Sequence, residues 1–338
     1  MFIAMHQLRR PYLLYLGDAR IATDAKTACG LRDWCRDNVL GEWSLSSATI
    51  SVGVPRLSPR EAGERGAGSL VVGVAPVGGR LPEEWLPDLH DAIRAGLDIV
   101  SGMHTRLTSF PSLVEAAATH GVRLLDVRHS DRVFAAGTGR KRTGMRVATV
   151  GTDCALGKKY TALALTNALR GRGAKATFRA TGQTGIMIAG EGIAIDAVVA
   201  DFVSGAAEQL SPDNDADHWD VIEGQGSLFH PAYAAVTLGL LHGSQPDAFV
   251  LCHDPTRETI EYYPDFPIPD LGDAVRQYVQ AARITNRQVR CAGLSINSSS
   301  LSDGAWHAYA TDMAATLGVP VCDPMRGGLD AIARSVLG

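Results

Sequence analysis

The chain has few lysines, few aromatic residues and no closely paired cysteines. Five of its 32 cationic side chains are lysines, and aromatic residues make up 6% of its 338 positions. The six cysteines contain no C-x-x-C pair, and no apolar run approaches the length that spans a membrane. These features exclude a disulfide-stapled secreted scaffold and a transmembrane protein, and we expect reduced thiols in a cytoplasmic protein.

Charge is distributed unevenly along the chain. Residues 1–144 carry a net charge of +3 and the remainder carries −7, which together give the net charge of −4. Neither part contains the basic stripe that holds a phosphate backbone, so we expect no nucleic-acid partner. The one dense basic run, residues 140–142, is interpreted as a solvated connector.

Short apolar runs alternate with amphipathic stretches over the whole sequence, a pattern that predicts βαβ units and a mainly parallel sheet. The predicted strands are 12–16, 49–54, 70–74, 98–101, 123–127, 146–150, 176–179, 219–222, 248–252, 289–296 and 319–322. A glycine-rich charged stretch at residues 135–145 is the predicted boundary, which gives domains at 1–140 and 145–338. Ligands of open α/β sheets gather at the carboxyl ends of the strands, so we expect the chemistry in the segments that follow them.

The strongest motif is the segment MRVATVGTDCALGKKYTALAL, which has a strand, a glycine loop and a helix in succession. This order is what a phosphate-binding loop requires, because its N–H groups and the helix N-terminus converge on one anion. The loop residues are predicted to bind the cofactor: Gly151, Thr152, Asp153, Cys154, Ala155, Leu156, Gly157, Lys158, Lys159 and Tyr160.

This loop departs from the usual phosphate-loop sequence after its first lysine. Lys159 stands where a serine or threonine normally binds magnesium, and Thr161 follows two residues later. The loop therefore offers one ligand fewer to magnesium and one cation more to a phosphate group. GTDCALGK otherwise resembles the phosphate loop of dethiobiotin synthetase, and Glu223-Gly224-Gln225-Gly226 stands where that group has an EGAGGL segment.

A closer resemblance covers nearly the whole chain. The segments GTDCALGKKYTALAL, FRATGQTG, EGQGSLFHP, HDPTR and FPIPDL resemble the D-glutamate N-acetyltransferase family, long catalogued as a domain of unknown function. The resemblance implies an N-terminal Rossmann-like domain followed by a C-terminal P-loop domain. It also implies acetyl transfer from acetyl-CoA to D-glutamate, with the loop holding the phosphates of coenzyme A.

Acyl transfer to an amine requires an acceptor for the ammonium proton, donors for the oxyanion and cations for the carboxylates of glutamate. The catalytic candidates are Glu223, His230, His253 and Asp254. Glu223 is either an acid/base group or a turn-capping carboxylate, and each histidine is either a base or a packing residue. The substrate-binding candidates are Arg179, Thr181, Arg257 and Lys26.

Two alternatives stay open at the level of sequence. Cys154 lies in an anion-binding loop that lowers a thiol pKa, so it is either an acetyl-accepting nucleophile or a small loop residue. The whole chain is either an acyltransferase, an ATP- and magnesium-dependent kinase or ligase, or a nucleotide-sensing protein. We expect small-molecule substrates, no resident metal, no membrane partner and a homo-oligomer.

Overall fold

The computed structural model describes residues 8–74, 79–129 and 132–338. The chain forms two compact units, one made of residues up to 131 together with 182–194 and the other of residues 132–181 and 195–338. Each unit contains a parallel sheet with helices, which confirms the predicted α/β class. The predicted domain limits of 1–140 and 145–338 stay a prediction.

The first unit is built on a five-stranded parallel sheet. Its strands are β1 (Tyr12–Tyr15), β2 (Val39–Trp43), β3 (Ser69–Val72), β4 (Asp98–Ser101) and β5 (Leu124–Asp126), and its first four helices are α1 (Lys26–Trp34), α2 (Pro59–Glu64), α3 (Leu86–Arg94) and α4 (Pro111–His120). The strand order β2-β1-β3-β4-β5 is a doubly wound order. All four residues of β1 are buried, as expected of a strand covered on both faces.

The strand predicted at residues 49–54 is wrong, and β2 takes its place beside β1. Gly53 has a φ of +79°, which no regular strand contains. The N–H of Val52 donates to the Glu42 carboxylate at 2.8 Å, so it bonds to a side chain and not to a neighbouring strand. Val52 and Val54 are therefore buried as residues of a loop and not of a strand.

The second unit is built on a six-stranded parallel sheet. Its strands are β6 (Met145–Gly151), β7 (Lys175–Arg179), β8 (His218–Ile222), β9 (Ala248–His253), β12 (Arg290–Ile296) and β13 (Val321–Cys322), in the order β13-β12-β9-β6-β8-β7. An antiparallel hairpin of β10 (Thr259–Ile260) and β11 (Tyr263–Pro267) follows β9. Because β6 is paired on both sides, the loop that follows it has the ends of β8 and β9 as neighbours.

Six helices belong to this second unit. They are α5 (Lys158–Gly171), α7 (Val203–Leu210), α8 (Ala234–Ser244), α9 (Leu271–Ala282), α10 (Asp303–Leu317) and α11 (Asp330–Leu337). Phe249, Leu294 and Tyr278 are fully buried where α9 packs on the sheet. Across the residues described, no helix is both long enough and apolar enough to cross a membrane.

The segment Gly182–Ala194 contributes its helix α6 (Gln183–Ala189) to the first unit. Thr184 Oγ1 lies 3.0 Å from Thr27 Oγ1, and Arg10 donates to the carbonyl oxygen of Ile188 at 3.0 Å. The ATGQTG motif is therefore divided, since Thr181 belongs to the second unit while the residues after it form a helix in the first.

The basic run at residues 140–142 is only in part a solvated connector, since Arg140 and Lys141 are exposed whereas Arg142 is not. Arg142 is buried, and its guanidinium donates to the carbonyl oxygens of Ser211 and Gly243 at 2.6 and 2.7 Å. Lys141 donates to Asp247 at 2.8 Å. These side chains satisfy carbonyl groups that burial would otherwise leave unpaired, so the run fastens the start of the second unit.

The packing of α7 gives a test of the second unit. A Cβ atom on Gly205 would lie 1.8 Å from the carbonyl oxygen of Ala135, whereas one on Gly304 in α10 would meet open space. We expect Gly205→Ala to lower the free energy of unfolding by about 1–3 kcal/mol through overpacking. Gly304→Ala is the control, and we expect it to raise stability by up to about 1 kcal/mol. Urea unfolding followed by circular dichroism measures both, and equal midpoints would contradict the packing described.

Candidate active site

The loop that links β6 to α5 has the backbone of an anion-binding nest. Ala155 and Gly157 have positive φ angles of +52° and +97°, and left-handed residues of this kind occur in the nests whose successive N–H groups turn towards an anion. Gly157 is the N-cap of α5 and has no side chain with which to cap its first turn. The 14-residue helix adds the positive end of its dipole at the same point.

Two lysines supply cations at this nest. Lys158 is buried, its ammonium donates to the carbonyl oxygen of Asp153 at 2.7 Å, and burial lowers its pKa. Lys159 is partly exposed, with its ammonium 5.1 Å from the centre of the Tyr160 ring. The buried lysine is therefore held inside the loop, and the second one lies at its rim.

The carboxylate of Asp153 is fully buried and joins the loop to the hairpin. Its Oδ2 accepts hydrogen bonds from Arg257 at 2.7 Å and from the Glu261 N–H at 2.8 Å. Its Oδ1 accepts the N–H of Cys154 at 2.6 Å, and Arg257 also donates to the carbonyl oxygen of Cys154. Arg257, predicted to bind substrate, thus organises the loop through an ion pair.

Magnesium lacks its usual hydroxyl in this loop. Thr161, the nearest serine or threonine after Lys158, lies 2.7 Å from Ser295 Oγ and accepts from Cys252 Sγ at 3.3 Å. Thr161 is 1% exposed, and these contacts hold its side chain within the core of the second unit. The residues therefore do not fit the magnesium coordination of a nucleotide-hydrolysing loop.

One group of possible metal ligands, made of Asp153, Cys154 and His230, occurs in the part of the chain that the structure describes. Their ligand atoms lie within 4.8 Å of one another. However, both carboxylate oxygens of Asp153 already accept hydrogen bonds, and burial raises the pKa of the Cys154 thiol. A raised pKa keeps the thiol protonated, which disfavours both metal binding and the nucleophile that the sequence suggested.

Glu223 lies directly after β8 and is almost fully buried. Its carboxylate accepts the N–H of Thr181 at 2.9 Å, and its carbonyl oxygen accepts the Thr181 hydroxyl at 2.6 Å. Gly224 approaches β6 so closely that a Cβ there would lie 1.8 Å from the Thr149 carbonyl oxygen and 3.0 Å from Lys158 Cδ. The geometry gives Glu223 a contact that caps the turn at Thr181, and it brings the backbone of Gly224 against the stem of Lys158.

His253 ends β9 and contacts the first residue of the phosphate loop. Its Nδ1 lies 3.0 Å from Thr152 Oγ1, and burial lowers its pKa to about 4. The carboxylate of Asp254 accepts hydrogen bonds from Thr256 and from the Asn297 side chain, at 2.7 and 3.1 Å. Asp254 therefore shapes the turn after β9, and His253 is neutral at physiological pH.

His230 lies beside the same loop. Its side chain is 2% exposed and its Nδ1 accepts the N–H of Ala232 at 3.1 Å. The rings of Tyr233 and Tyr263 contact the imidazole at centroid distances of 4.5 and 5.0 Å. The chain thus brings His230, His253 and Arg257 to the phosphate loop, as expected from the ends of parallel strands.

The other predicted substrate-binding residues have different surroundings. Arg179 donates to the buried Asp220 at 2.8 Å, which is a structural ion pair within the second unit. Thr181 is fully buried against Glu223. Lys26 is exposed at the start of α1 in the first unit. Their substrate contacts stay predictions.

Two residues that hold the start of the loop were missed from the sequence. Tyr278 in α9 and Ser227 both donate to the carbonyl oxygen of Gly151, at 2.7 and 2.8 Å. Ser227 lies in the EGQGSL motif and was therefore detectable, whereas Tyr278 is one apolar-face residue of an ordinary amphipathic helix.

Comparison with known proteins identifies relatives of both units. Residues 40–130 match the Rossmann-like N-terminal domain of unknown function DUF1611_N, and residues 133–333 match the P-loop domain DUF1611_C. A crystal structure of a DUF1611 family protein from Anabaena variabilis has a TM-score of 0.86 and 33% identity, covering 97% of this chain and 99% of the other.

Two curated proteins match over almost their full length. A D-glutamate N-acetyltransferase from Pseudoalteromonas sp. is 46% identical, and the match covers 98% of this chain and 99% of that protein. A D-glutamate N-acetyltransferase from Tritonibacter scottomollicae is 44% identical, and the match covers 96% of this chain and 99% of that protein.

The neutral state of His253 predicts a pH dependence of stability. Between pH 6.5 and about 4 the unfolded chain binds a proton at this residue that the folded chain does not bind. The free energy of unfolding therefore falls as the pH falls through this window, by up to roughly 3 kcal/mol. His253→Asn removes this titration, so its stability should fall less steeply than that of the wild type.

Urea unfolding at pH values from 4.5 to 8 measures this difference. His307→Asn, which replaces an exposed histidine of α10, is the matched control and should follow the wild-type curve. Parallel curves for wild type and His253→Asn would contradict a neutral buried imidazole at this position.

Proposed function

The chain belongs to the DUF1611 family, and from this membership we propose that it transfers an acetyl group from acetyl-CoA to the amino group of D-glutamate. The two relatives named for this activity are 46% and 44% identical over nearly the whole chain, and this similarity carries the proposal. The reaction and the acceptor come from those names. The acetyl donor is inferred from the loop chemistry.

The phosphate loop suits coenzyme A because it binds anions without the hydroxyl that holds magnesium. Coenzyme A carries a pyrophosphate and a 3′-phosphate, and Lys158 and Lys159 place two ammonium groups at the nest. An acetyl donor needs no phosphoryl transfer, since its energy lies in the thioester bond. Replacing a magnesium ligand by Lys159, with Thr161 buried, therefore removes nothing that acetyl transfer requires.

In the proposed mechanism, the amine attacks the thioester directly in a ternary complex of protein, acetyl-CoA and D-glutamate. The free amine of D-glutamate forms the new C–N bond, the C–S bond breaks, and coenzyme A leaves as a thiolate that takes up a proton. The ammonium proton must leave before attack, and the tetrahedral intermediate needs hydrogen-bond donors. The groups that this chain gathers at the loop are Lys158, His230, His253 and Arg257.

The direct test is thiol release from acetyl-CoA in the presence of D-glutamate. We expect release that depends on D-glutamate and that falls about tenfold to hundredfold in kcat/KM for acetyl-CoA in Lys158→Ala, since one charged hydrogen-bond donor is lost. Lys175→Ala is the control. Lys175 is an exposed lysine at the first residue of β7, at the edge of the sheet opposite to the phosphate loop, and it pairs with Asp215 and Asp217. ADP formation from ATP without thiol release would replace the proposal with a kinase or ligase.

Lys159 gives a second test of the loop. We expect wild-type coenzyme A affinity to be unchanged by EDTA, because no magnesium ligand follows Lys158. Lys159→Thr restores the hydroxyl of a nucleotide-binding loop, so it should bind coenzyme A about tenfold more weakly and bind ADP more tightly when magnesium is present. Titration calorimetry measures these affinities for both proteins, and loss of wild-type coenzyme A binding in EDTA would contradict a metal-free site.

A further inference from the structure

The hydrogen bond between Ala232 and His230 determines which ring nitrogen of His230 carries the proton. The N–H of Ala232 points at Nδ1 at 3.1 Å, so Nδ1 must present its lone pair. A neutral imidazole has one proton, and that proton must then lie on Nε2. The contacts with Tyr233 and Tyr263 restrict the orientation of the ring.

This tautomer is unsuited to a general base. A base that acts through Nε2 needs its lone pair there and its proton on Nδ1, where two N–H groups would then face each other. The Nδ1 lone pair is already occupied by the Ala232 N–H. His230 can therefore give a hydrogen bond through Nε2 but has no free lone pair with which to take a proton from an amine.

The Nε2–H group has no protein acceptor among the residues that the structure describes, and although His230 is only 2% exposed, Nε2 is not among the unpartnered side-chain atoms that are closed off from water. A ring nitrogen of His230 lies within 4.8 Å of a carboxylate oxygen of Asp153 and of Cys154 Sγ, both in the phosphate loop. A ligand bound at that loop would therefore lie close to the imidazole and could supply the acceptor that the protein does not.

We propose that His230 is a neutral hydrogen-bond donor to a negatively charged oxygen of the acetyl donor. This inference rests on the proposed function. Two oxygens have the required chemistry, a phosphate oxygen of coenzyme A and the carbonyl oxygen of the thioester as it becomes an oxyanion. Either contact uses the Nε2–H and leaves removal of the amine proton to another group.

Two substitutions separate a donor from a base. His230→Gln places an amide N–H₂ near the position of Nε2, whereas His230→Asn keeps an acceptor for the Ala232 N–H and removes the donor. We expect Gln to retain activity within about tenfold and Asn to lose about 10²–10³-fold, as for removal of an oxyanion-hole donor. Equal loss in both variants, while both fold and bind coenzyme A, would indicate a base and overturn the proposal.

The affinity for coenzyme A identifies the acceptor oxygen. If His230→Asn weakens coenzyme A binding by about tenfold to hundredfold, the donor contacts a phosphate. If binding is unchanged while kcat falls, the donor contacts the developing oxyanion. Both results support the proposal, whereas wild-type binding and wild-type kcat in His230→Asn would overturn it. His307→Gln and His307→Asn, at an exposed position, are matched controls.

The tautomer can be observed without any substrate. Long-range ¹H–¹⁵N correlation spectra of histidine-labelled protein at pH 8, assigned by loss of a signal in His230→Gln, should show the proton of His230 on Nε2. A proton on Nδ1 would overturn the proposal. This measurement keeps its meaning if the protein releases no thiol from acetyl-CoA, so failure of the donor role and failure of the proposed function are distinguishable.

Discussion

The buried carboxylate of Asp153 is the contact on which the rest of the candidate site depends. It accepts hydrogen bonds from the loop amide of Cys154, from the guanidinium of Arg257 and from the hairpin amide of Glu261. A charge buried to this degree is stable only when all its acceptors are engaged. The phosphate loop and the segment after β9 must therefore be in place together, and the hairpin brings Tyr263 against His230.

This arrangement leaves a consistent division of roles among the polar groups. Arg257 and Asp254 bond mainly to the protein, so they shape the loops. Lys158, Lys159 and the loop amides are the groups to which the proposed function assigns an anion. His253 is neutral because burial lowers its pKa to about 4, and His230 presents an N–H group. The site is thus rich in donors, which matches the oxygens of a phosphorylated thioester.

The sequence predicted the parts of the molecule that depend on local order. A strand, a glycine loop and a helix follow one another directly, so the phosphate loop and most strands could be located from periodicity. Contacts between distant segments could not be predicted in the same way. The burial of Arg142, the hairpin after β9 and the place of Gly182–Ala194 in the first unit depend on partners far along the chain. The prediction that the loop lowers the pKa of Cys154 was wrong, since desolvation raises this pKa by more than the neighbouring Lys158 lowers it.

Lys159, which stands where a nucleotide-binding loop has serine or threonine, connects the fold to the proposed chemistry. A loop that hydrolyses nucleotides needs a metal to bridge phosphates and to stabilise the charge that moves during phosphoryl transfer. In acetyl transfer the charge develops on a carbonyl oxygen far along the donor, and the phosphates remain unchanged throughout. Under the proposed function, an ammonium group can neutralise the phosphates without requiring that a metal be bound. The oxyanion needs its own donor, and a neutral imidazole can donate a hydrogen bond there without competing with Lys158 for the phosphates.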